Sequence, residues 1–417
     1  MKKVFLVLTL LFGFSFSQGP VSYYGKLKVR EGRPFIDGVK GSDTTRLVQI
    51  RGVSFGWSNS GWESSRFYNA GAVERIAKDW KAEVVRAAYG ATSRAFTDAD
   101  AVANRNRIET IVDAAIENDV YVIIDWHSHN AQNERTQAKD FFAYMAEKYG
   151  QNDHVIFELY NEPICSNGSN SCQAAGRTTW AEIKDYAEEI IPIIREHSGN
   201  LILVGTPEWS QRVESVMGNA INDPNVGYVL HFYAASHPLS LWKTNIDNVI
   251  SSGLPVFVTE YGTTHSDGGS SPNNYNTHNA ARSDEWHSYM NIKKMSSAAW
   301  NINDKYEGSA FFGAVSGSLF DQTVPENWAD TTKMTASGKY IFKKLNNYYL
   351  TAPWNPDIAS IKSPANQLLM PGDAVYEIFS LQGKKMGSDV SSLKNGVYVI
   401  FLRQNGTLQR KTLRIVK

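Results

Sequence analysis

Cysteine is nearly absent from this chain of 417 residues: there are two, Cys165 and Cys172, in one Gly/Ser/Asn-rich stretch. Two cysteines alone cannot build a zinc site, and they leave two readings, a bridge closing that stretch outside the cytoplasm or a pair of free thiols. Charge of one sign is also lacking, since 42 Lys+Arg balance 42 Asp+Glu. No basic surplus is available to attract nucleic acid, which excludes it as an expected partner. Beyond the first residues no run approaches the roughly 20 apolar residues of a membrane helix, so membrane insertion is not expected. Nor does a Gly-rich phosphate loop follow the first strand, which disfavours a dinucleotide fold. Internal repeats and long low-complexity linkers are absent as well.

What is present begins with an export pattern. Lys2 and Lys3 lead an apolar run from Val4 to Phe14, and Ser15 and Ser17 precede Gln18, so residues 1–17 read as a signal peptide and the mature protein as secreted or attached to the cell surface. After a strand-rich lead-in around Tyr23 to Ile36, short apolar, β-branched runs alternate with segments of helical spacing. The strand candidates are Val48–Phe55, Glu83–Tyr89, Tyr121–His127, Val155–Pro163, Leu201–Trp209, Val226–Tyr233, Pro255–Tyr261 and Ala298–Ile302. Amphipathic helices are predicted at Arg105–Glu117, Trp180–His197 and Ala280–Met295. Eight strand-helix units predict an α/β fold, the (β/α)8 TIM barrel, over residues 18–352.

Past Tyr349 the pattern changes. Pro353, Pro356 and Pro364 interrupt the helix, and alternating runs follow at Ala374–Ser380, Gly396–Arg403 and Leu408–Val416, with turn residues at Gly383, Asn395-Gly396 and Asn405-Gly406. Residues 353–417 therefore read as a linker and a small all-β module. From Asp357 to Lys417 the chain holds 9 Lys+Arg against 4 Asp+Glu, which leaves the barrel mildly acidic.

In such a barrel the C-terminal strand ends carry the active site, so polar residues inside apolar strands are the candidates. Strand by strand they are Arg51 and Trp57, Arg86, Asp125-Trp126-His127, Asn161-Glu162-Pro163, Trp209, His231 and Tyr233, Glu260, and Trp300. Any one of them is more often a structural group than a catalyst. Two carboxylates converging with histidines, Arg, Asn, Tyr and tryptophans suit glycoside hydrolysis, which needs one carboxyl to protonate the leaving oxygen and another to act at the anomeric carbon. Glu162 and Glu260 fit these roles. Asn161 is placed to bond a sugar 2-hydroxyl, Tyr233 and Arg86 to hold Glu260 ionised, and His127 and His231 to orient substrate or tune the acid. The tryptophans offer flat faces for pyranose rings or fill the core, and Trp62 is open to either role.

The motifs Arg51-Gly52, Val84-Val85-Arg86, Ile124-Asp125-Trp126-His127, Asn161-Glu162-Pro163, Leu230-His231-Phe232-Tyr233, Val258-Thr259-Glu260 and Trp300 occur in one order from Val21 to Tyr349. This series resembles glycoside hydrolase family 5. The stretch Trp300-Asn301-Ile302-Asn303-Asp304-Lys305 with Glu307 is similar to its bacterial endoglucanase subgroup. The resemblance implies Glu162 as acid/base, Glu260 as nucleophile, net retention, no metal or cofactor, and Lys305 and Glu307 near the sugars below the cleavage point. It implies an endo-acting β-1,4-glucanase, with mannan, xyloglucan, mixed-linkage glucan or xylan as alternative substrates and a non-catalytic glucan-binding barrel as the alternative class. Phe55-Gly56-Trp57 and the Cys165–Cys172 stretch depart from the family pattern. The tail, with Tyr376-Glu377-Ile378-Phe379-Ser380-Leu381-Gln382-Gly383-Lys384 and Gly396-Val397-Tyr398-Val399, resembles C-terminal sorting modules of type IX-like export, which would make secretion machinery a partner. A plain stabilising β-domain and a carbohydrate-binding module are the other readings of it.

Overall fold

The structure, a computed structural model, describes residues 19–91, 95–270, 277–313, 327–355, 375–380, 384–387, 396–404 and 407–415. The signal-peptide reading of residues 1–17 falls outside them, as do Pro356, Pro364, Gly383 and Asn405-Gly406. The chain divides into two compact units, one spanning Pro20–Ala352 and the other including Pro353–Lys417.

The larger unit opens with a short helix, Pro20–Tyr24, and an antiparallel sheet of β1 (Lys26–Val29), β2 (Ile36–Lys40) and β3 (Asp43–Leu47). This lead-in is tied to the N-terminal ends of the barrel strands. The hydroxyl of Tyr121, the first residue of its strand, donates to Gly25 O at 2.6 Å, and Val29 N donates to Asn225 Oδ1 at 2.8 Å just ahead of another. It seals the end of the barrel opposite the one where (β/α)8 enzymes work.

Eight parallel strands follow and close on themselves: β4 (Arg51–Phe55), β5 (Val84–Gly90), β6 (Tyr121–His127), β7 (Val155–Glu158), β8 (Ile202–Val204), β9 (Val226–Tyr233), β10 (Val256–Gly262) and β11 (Ser297–Ile302). Each predicted strand is there. Near-continuous burial along them reflects a sheet covered on both faces, outside by helices and inside by its own side chains. The three predicted helices run Ala99–Glu117, Trp180–Arg195 and Ala280–Lys293. The first starts earlier than its periodicity suggested, because Asp98 caps the backbone N–H of Asp100. At the second, Thr179 and Glu182 form a reciprocal capping box, and Ile183, Tyr186, Ala187, Ile190 and Ile194 turn a buried stripe to the barrel.

The smaller unit contains an antiparallel sheet in the order β13-β12-β14-β15, from β12 (Val375–Ser380), β13 (Lys385–Gly387), β14 (Gly396–Gln404) and β15 (Thr407–Ile415). Three of these strands match the alternating runs; the three-residue β13 is too short for a period-two pattern to reveal.

Candidate active site

The barrel's register gathers the polar residues in its interior. Ser54 pairs with Arg86 and with Trp300, Asp125 with Glu158, and His231 with Glu260. Arg86 is fully buried and sits among carboxylates. Its Nε donates to Glu158 Oε2 at 2.7 Å and its Nη2 to Glu158 Oε1 at 3.1 Å, a two-pronged contact. Nη1 reaches Glu260 Oε2 at 3.0 Å, and Nη2 also meets Asn161 Oδ1 at 2.7 Å and Asp125 Oδ2 at 2.9 Å. One guanidinium thus answers three buried acids. Charge-assisted bonds of this kind hold an ion pair together in a low-dielectric interior, where either partner alone would be costly.

Glu260 receives a second donor from the opposite side, the Tyr233 hydroxyl at 2.8 Å from Oε1. Glu162 faces imidazoles instead: His231 Nδ1 lies 3.0 Å from its Oε1 and His129 Nε2 lies 3.5 Å from its Oε2. One side-chain oxygen of each glutamate and one ring nitrogen of His231 lie within 4.8 Å of one another. Burial and the charge of Glu162 push Glu260 up to about 8, against the pull of Arg86 and Tyr233. Because the two carboxyls face each other, that upward push belongs to the pair, which keeps one proton until the pH reaches that region. For Glu162 burial acts upward, but N–H groups donated by His129 and His231 outweigh it and draw the carboxyl below its usual range, a direction that holds only where those imidazoles do donate to it. Asp125 is pushed up to about 7 by burial against the opposing charge of Arg86. Burial and Arg86 hold His127 neutral.

Above these groups opens a cleft of about 260 Å³, lined by Trp57, Trp62, His127, His129, Asn161, Glu162, Tyr233, Glu260, Trp300, Lys305 and Glu307 among others. Trp57 stacks on Trp62 at 5.2 Å between ring centroids and meets His127 edge-on at 4.4 Å. Trp300 lies parallel to the His127 ring at 5.4 Å. Lys305 pairs with Glu307 at 2.6 Å, and Asn301 donates to the same carboxylate. An adjoining cavity of about 510 Å³ shares Glu162 and Tyr233 and adds Trp209, Gln211, His231 and His237. Beside it Cys165 and Cys172 are joined as a disulfide, and Gln132 Nε2 bonds Cys165 O at 3.1 Å.

Trp57, His127, Asn161, Glu162, Tyr233, Glu260, Trp300, Lys305 and Glu307 line the cleft, Trp209 and His231 line the adjoining cavity, and Arg86, Asp125, Trp126 and Pro163 line neither, Arg86 lying against Glu260 and Asn161. Arg51 does not belong there. It opens β4 at the sealed end, where it contacts Gln49, Asn291, Glu83 and the ring of Tyr348. The predicted strand Val48–Phe55 starts ahead of the ladder, and the residues that reach the rim lie past its other end. His127 does not touch Glu162: its Nδ1 bonds Asp125 Oδ2 at 2.7 Å, and the imidazole that joins His231 at Glu162 is His129, two residues on. Trp62, 46% exposed, is a surface residue of the cleft and not core. Glu158, Thr259 and His129 went unread as site residues, although a glutamate within the apolar run Val155–Leu159 was a visible anomaly.

Residues 39–306 match the family model described as Cellulase (glycosyl hydrolase family 5). Endoglucanase Z of Dickeya dadantii is 40% identical over 71% of this chain, which spans 62% of that protein's length. Cellulase CelDZ1 of a Thermoanaerobacterium species is 33% identical over 80% of this chain and 85% of its own. Among solved structures, the catalytic domain of Thermobifida fusca endoglucanase Cel5A (E5) is similar at 28% identity with a TM-score of 0.64, covering 79% of this chain and 99% of that one. A variant of that domain was solved in complex with cellotetraose, with 27% identity to this chain over the same 79% and a TM-score of 0.64.

Proposed function

This chain belongs to glycosyl hydrolase family 5, and on that premise we propose that it is a retaining endo-β-1,4-glucanase, a cellulase working by double displacement through Glu162 and Glu260. The observation that carries the mechanism is the facing of the two glutamates, with a side-chain oxygen of one within 4.8 Å of the other's. Retaining enzymes keep their carboxyls roughly 5–5.5 Å apart, whereas inverting ones need roughly 6.5–9.5 Å to admit a water. The shared proton sits on Glu162, since Glu260 is the one met by two fixed donors, Arg86 and Tyr233, that favour its ionised form. Glu162 protonates the glycosidic oxygen as Glu260 attacks the anomeric carbon and forms a covalent glycosyl-enzyme. The aglycone then leaves. Glu162, now a carboxylate, takes a proton from water, whose oxygen displaces Glu260 and restores both groups. Asn161, braced by Arg86, is placed for the sugar 2-hydroxyl, and Trp57, Trp62, Trp300 and Trp209 supply apolar faces along the two cavities.

For the substrate, support comes from the relatives' names as endoglucanases, the cellotetraose held by the Thermobifida neighbour, and the Trp300 to Glu307 run that resembles the bacterial endoglucanase subgroup. Reducing-sugar release from carboxymethyl cellulose, lichenan and galactomannan tests it: carboxymethyl cellulose should be cleaved at internal bonds with a rapid fall in viscosity, and a preference for galactomannan would reassign the enzyme to the hemicellulases.

The reading extends to the chain's ends. The apolar run at Val4–Phe14, the disulfide and the sorting-like tail motifs support export and delivery to the outside or the surface by a type IX-like route. Exchanging residues 1–17 for a cytoplasmic start, and separately removing residues 353–417, would show by cell fractionation which step each directs.

A further inference from the structure

Beneath Glu162 lies a buried acid that the two-carboxylate chemistry leaves without a part. Glu158 ends β7 with no exposure, and both its oxygens accept from Arg86, at 2.7 and 3.1 Å. Its Oε1 also accepts from the Thr259 hydroxyl at 2.7 Å. A hydroxyl has one proton, and this bond uses it, so Thr259 Oγ1 can only accept from its other neighbour. That neighbour is His231 Nε2, 2.8 Å away. The other ring nitrogen, Nδ1, faces Glu162 Oε1 at 3.0 Å.

We propose that Glu158 and Thr259 are positioning residues that fix His231 as the Nε2–H tautomer, so that its Nδ1 lone pair faces Glu162 and keeps the acid protonated until the leaving oxygen takes the proton. This rests on the reading of Glu162 as the acid/base. The opposite tautomer would point an N–H at Glu162, hold it ionised and remove the acid. With the tautomer fixed, no bond in the chain from Glu158 to His231 changes during turnover. The one proton that moves leaves Glu162 with the aglycone oxygen and returns from the water of the second step. In the glycosyl-enzyme the same lone pair faces a Glu162 carboxylate, which sharpens its appetite for that proton.

The surrounding charges do not undo the assignment. Glu162 also faces His129 and Glu260, and His231 lies 3.9 Å from Glu158 within the field of Asp125 and His127. Glu158 shares Arg86 with Asp125 and Glu260. A protonated Glu158 would reverse every donor in the chain, but the two-pronged guanidinium contact favours its carboxylate form.

The test pairs two variants with one measurement on the unaltered protein. Thr259→Val keeps the volume and removes the hydroxyl; Thr259→Ser keeps the hydroxyl. Thr259→Val should lower kcat/KM on phenyl cellobioside on the order of 10-fold, the factor one hydrogen bond commonly makes, yet leave dinitrophenyl cellobioside, whose departure needs no acid, nearly unchanged. Its alkaline limb should move to lower pH, and Thr259→Ser should restore both. Nitrogen-15 NMR of the histidine-labelled full chain should show neutral His231 protonated at Nε2, a readout that needs no variant to fold. A His231 protonated at Nδ1 overturns the proposal, and so does a Thr259→Val enzyme with the parent's pH profile and leaving-group dependence. Glu162→Ala is the control. If it lacks leaving-group dependence, the acid/base reading fails; if it shows that dependence and Thr259→Val does not, only the tautomer chain fails.

Discussion

The Tyr233 hydroxyl donates to Glu260 Oε1 at 2.8 Å, and the ring that carries it occupies the space a side chain at position 262 would need. A Cβ on Gly262 would sit 2.2 Å from Tyr233 Cδ1. The glycine two residues beyond Glu260 thus decides where the phenol can reach, and the phenol and Arg86 together present one donor to each oxygen of Glu260. Tyr233→Phe keeps the ring and loses only the donor. A hydrogen bond to a charged group contributes about 1.5–3 kcal/mol, so kcat/KM should fall roughly 10- to 100-fold with Tm little changed. Steady-state kinetics beside a thermal melt checks this, and an unaltered rate would remove Tyr233 from the machinery.

On the proposed double displacement, the pair of glutamates sets the pH dependence. Its raised ionisation, pushed up to about 8, belongs to the proton that the acid step needs. Activity should therefore be full below that region and fall as the pH rises through it, with the limb in kcat/KM carried by a single proton. A profile flat to well above pH 9 would mean that the pair does not share its proton as described.

Trp209 and Trp300 should separate by burial. Trp209 is partly exposed in the larger cavity, with Arg177 6.0 Å from its ring, so Trp209→Ala should raise KM on longer oligosaccharides and leave Tm near the parent's. Trp300 is 9% exposed and stacks on His127, so Trp300→Ala should lower activity on oligosaccharides and also disturb His127. A Trp300→Ala chain that fails to fold would make that residue core and not a sugar platform.

The barrel and the residues gathered in its candidate site were largely legible in the sequence, and the failures have physical causes. Runs of β-branched and aromatic residues marked all eight strands, but Val155–Pro163 and Leu201–Trp209 overran the ladders, which stop at Glu158 and Val204. Past those points the chain bends to deliver Glu162 and Trp209; Pro207 starts a new turn and Trp209 takes a φ of 57°. Apolarity along a run reports burial, and burial continues through such bends where pairing does not. Arg51 was misplaced for the same reason, since a run does not say which of its ends faces the ligand. Glu158 and Thr259 escaped because their meaning lies in contacts between β7, β9 and β10, far apart in sequence, while a glutamate in an apolar run says only that some partner exists.

The described residues that line the two cavities all belong to the larger unit, which ends at Ala352. Ending the chain after Ala352 should leave kcat/KM on soluble glucan unchanged. Loss of that activity would mean that the tail belongs to the catalytic fold, whereas loss of binding to insoluble cellulose alone would favour the carbohydrate-binding reading of the module.

The central claim is that Glu260 forms a covalent bond to the sugar. Incubation with a 2-deoxy-2-fluoro-β-cellobiosyl fluoride, followed by peptide mass spectrometry, tests it directly, because the fluorine slows the second step and lets the intermediate accumulate. The account predicts one fluorocellobiosyl unit per chain, on the peptide carrying Val256–Gly262 and attached to Glu260. A label on Glu162, or turnover without any adduct and with an inverted product, would contradict it.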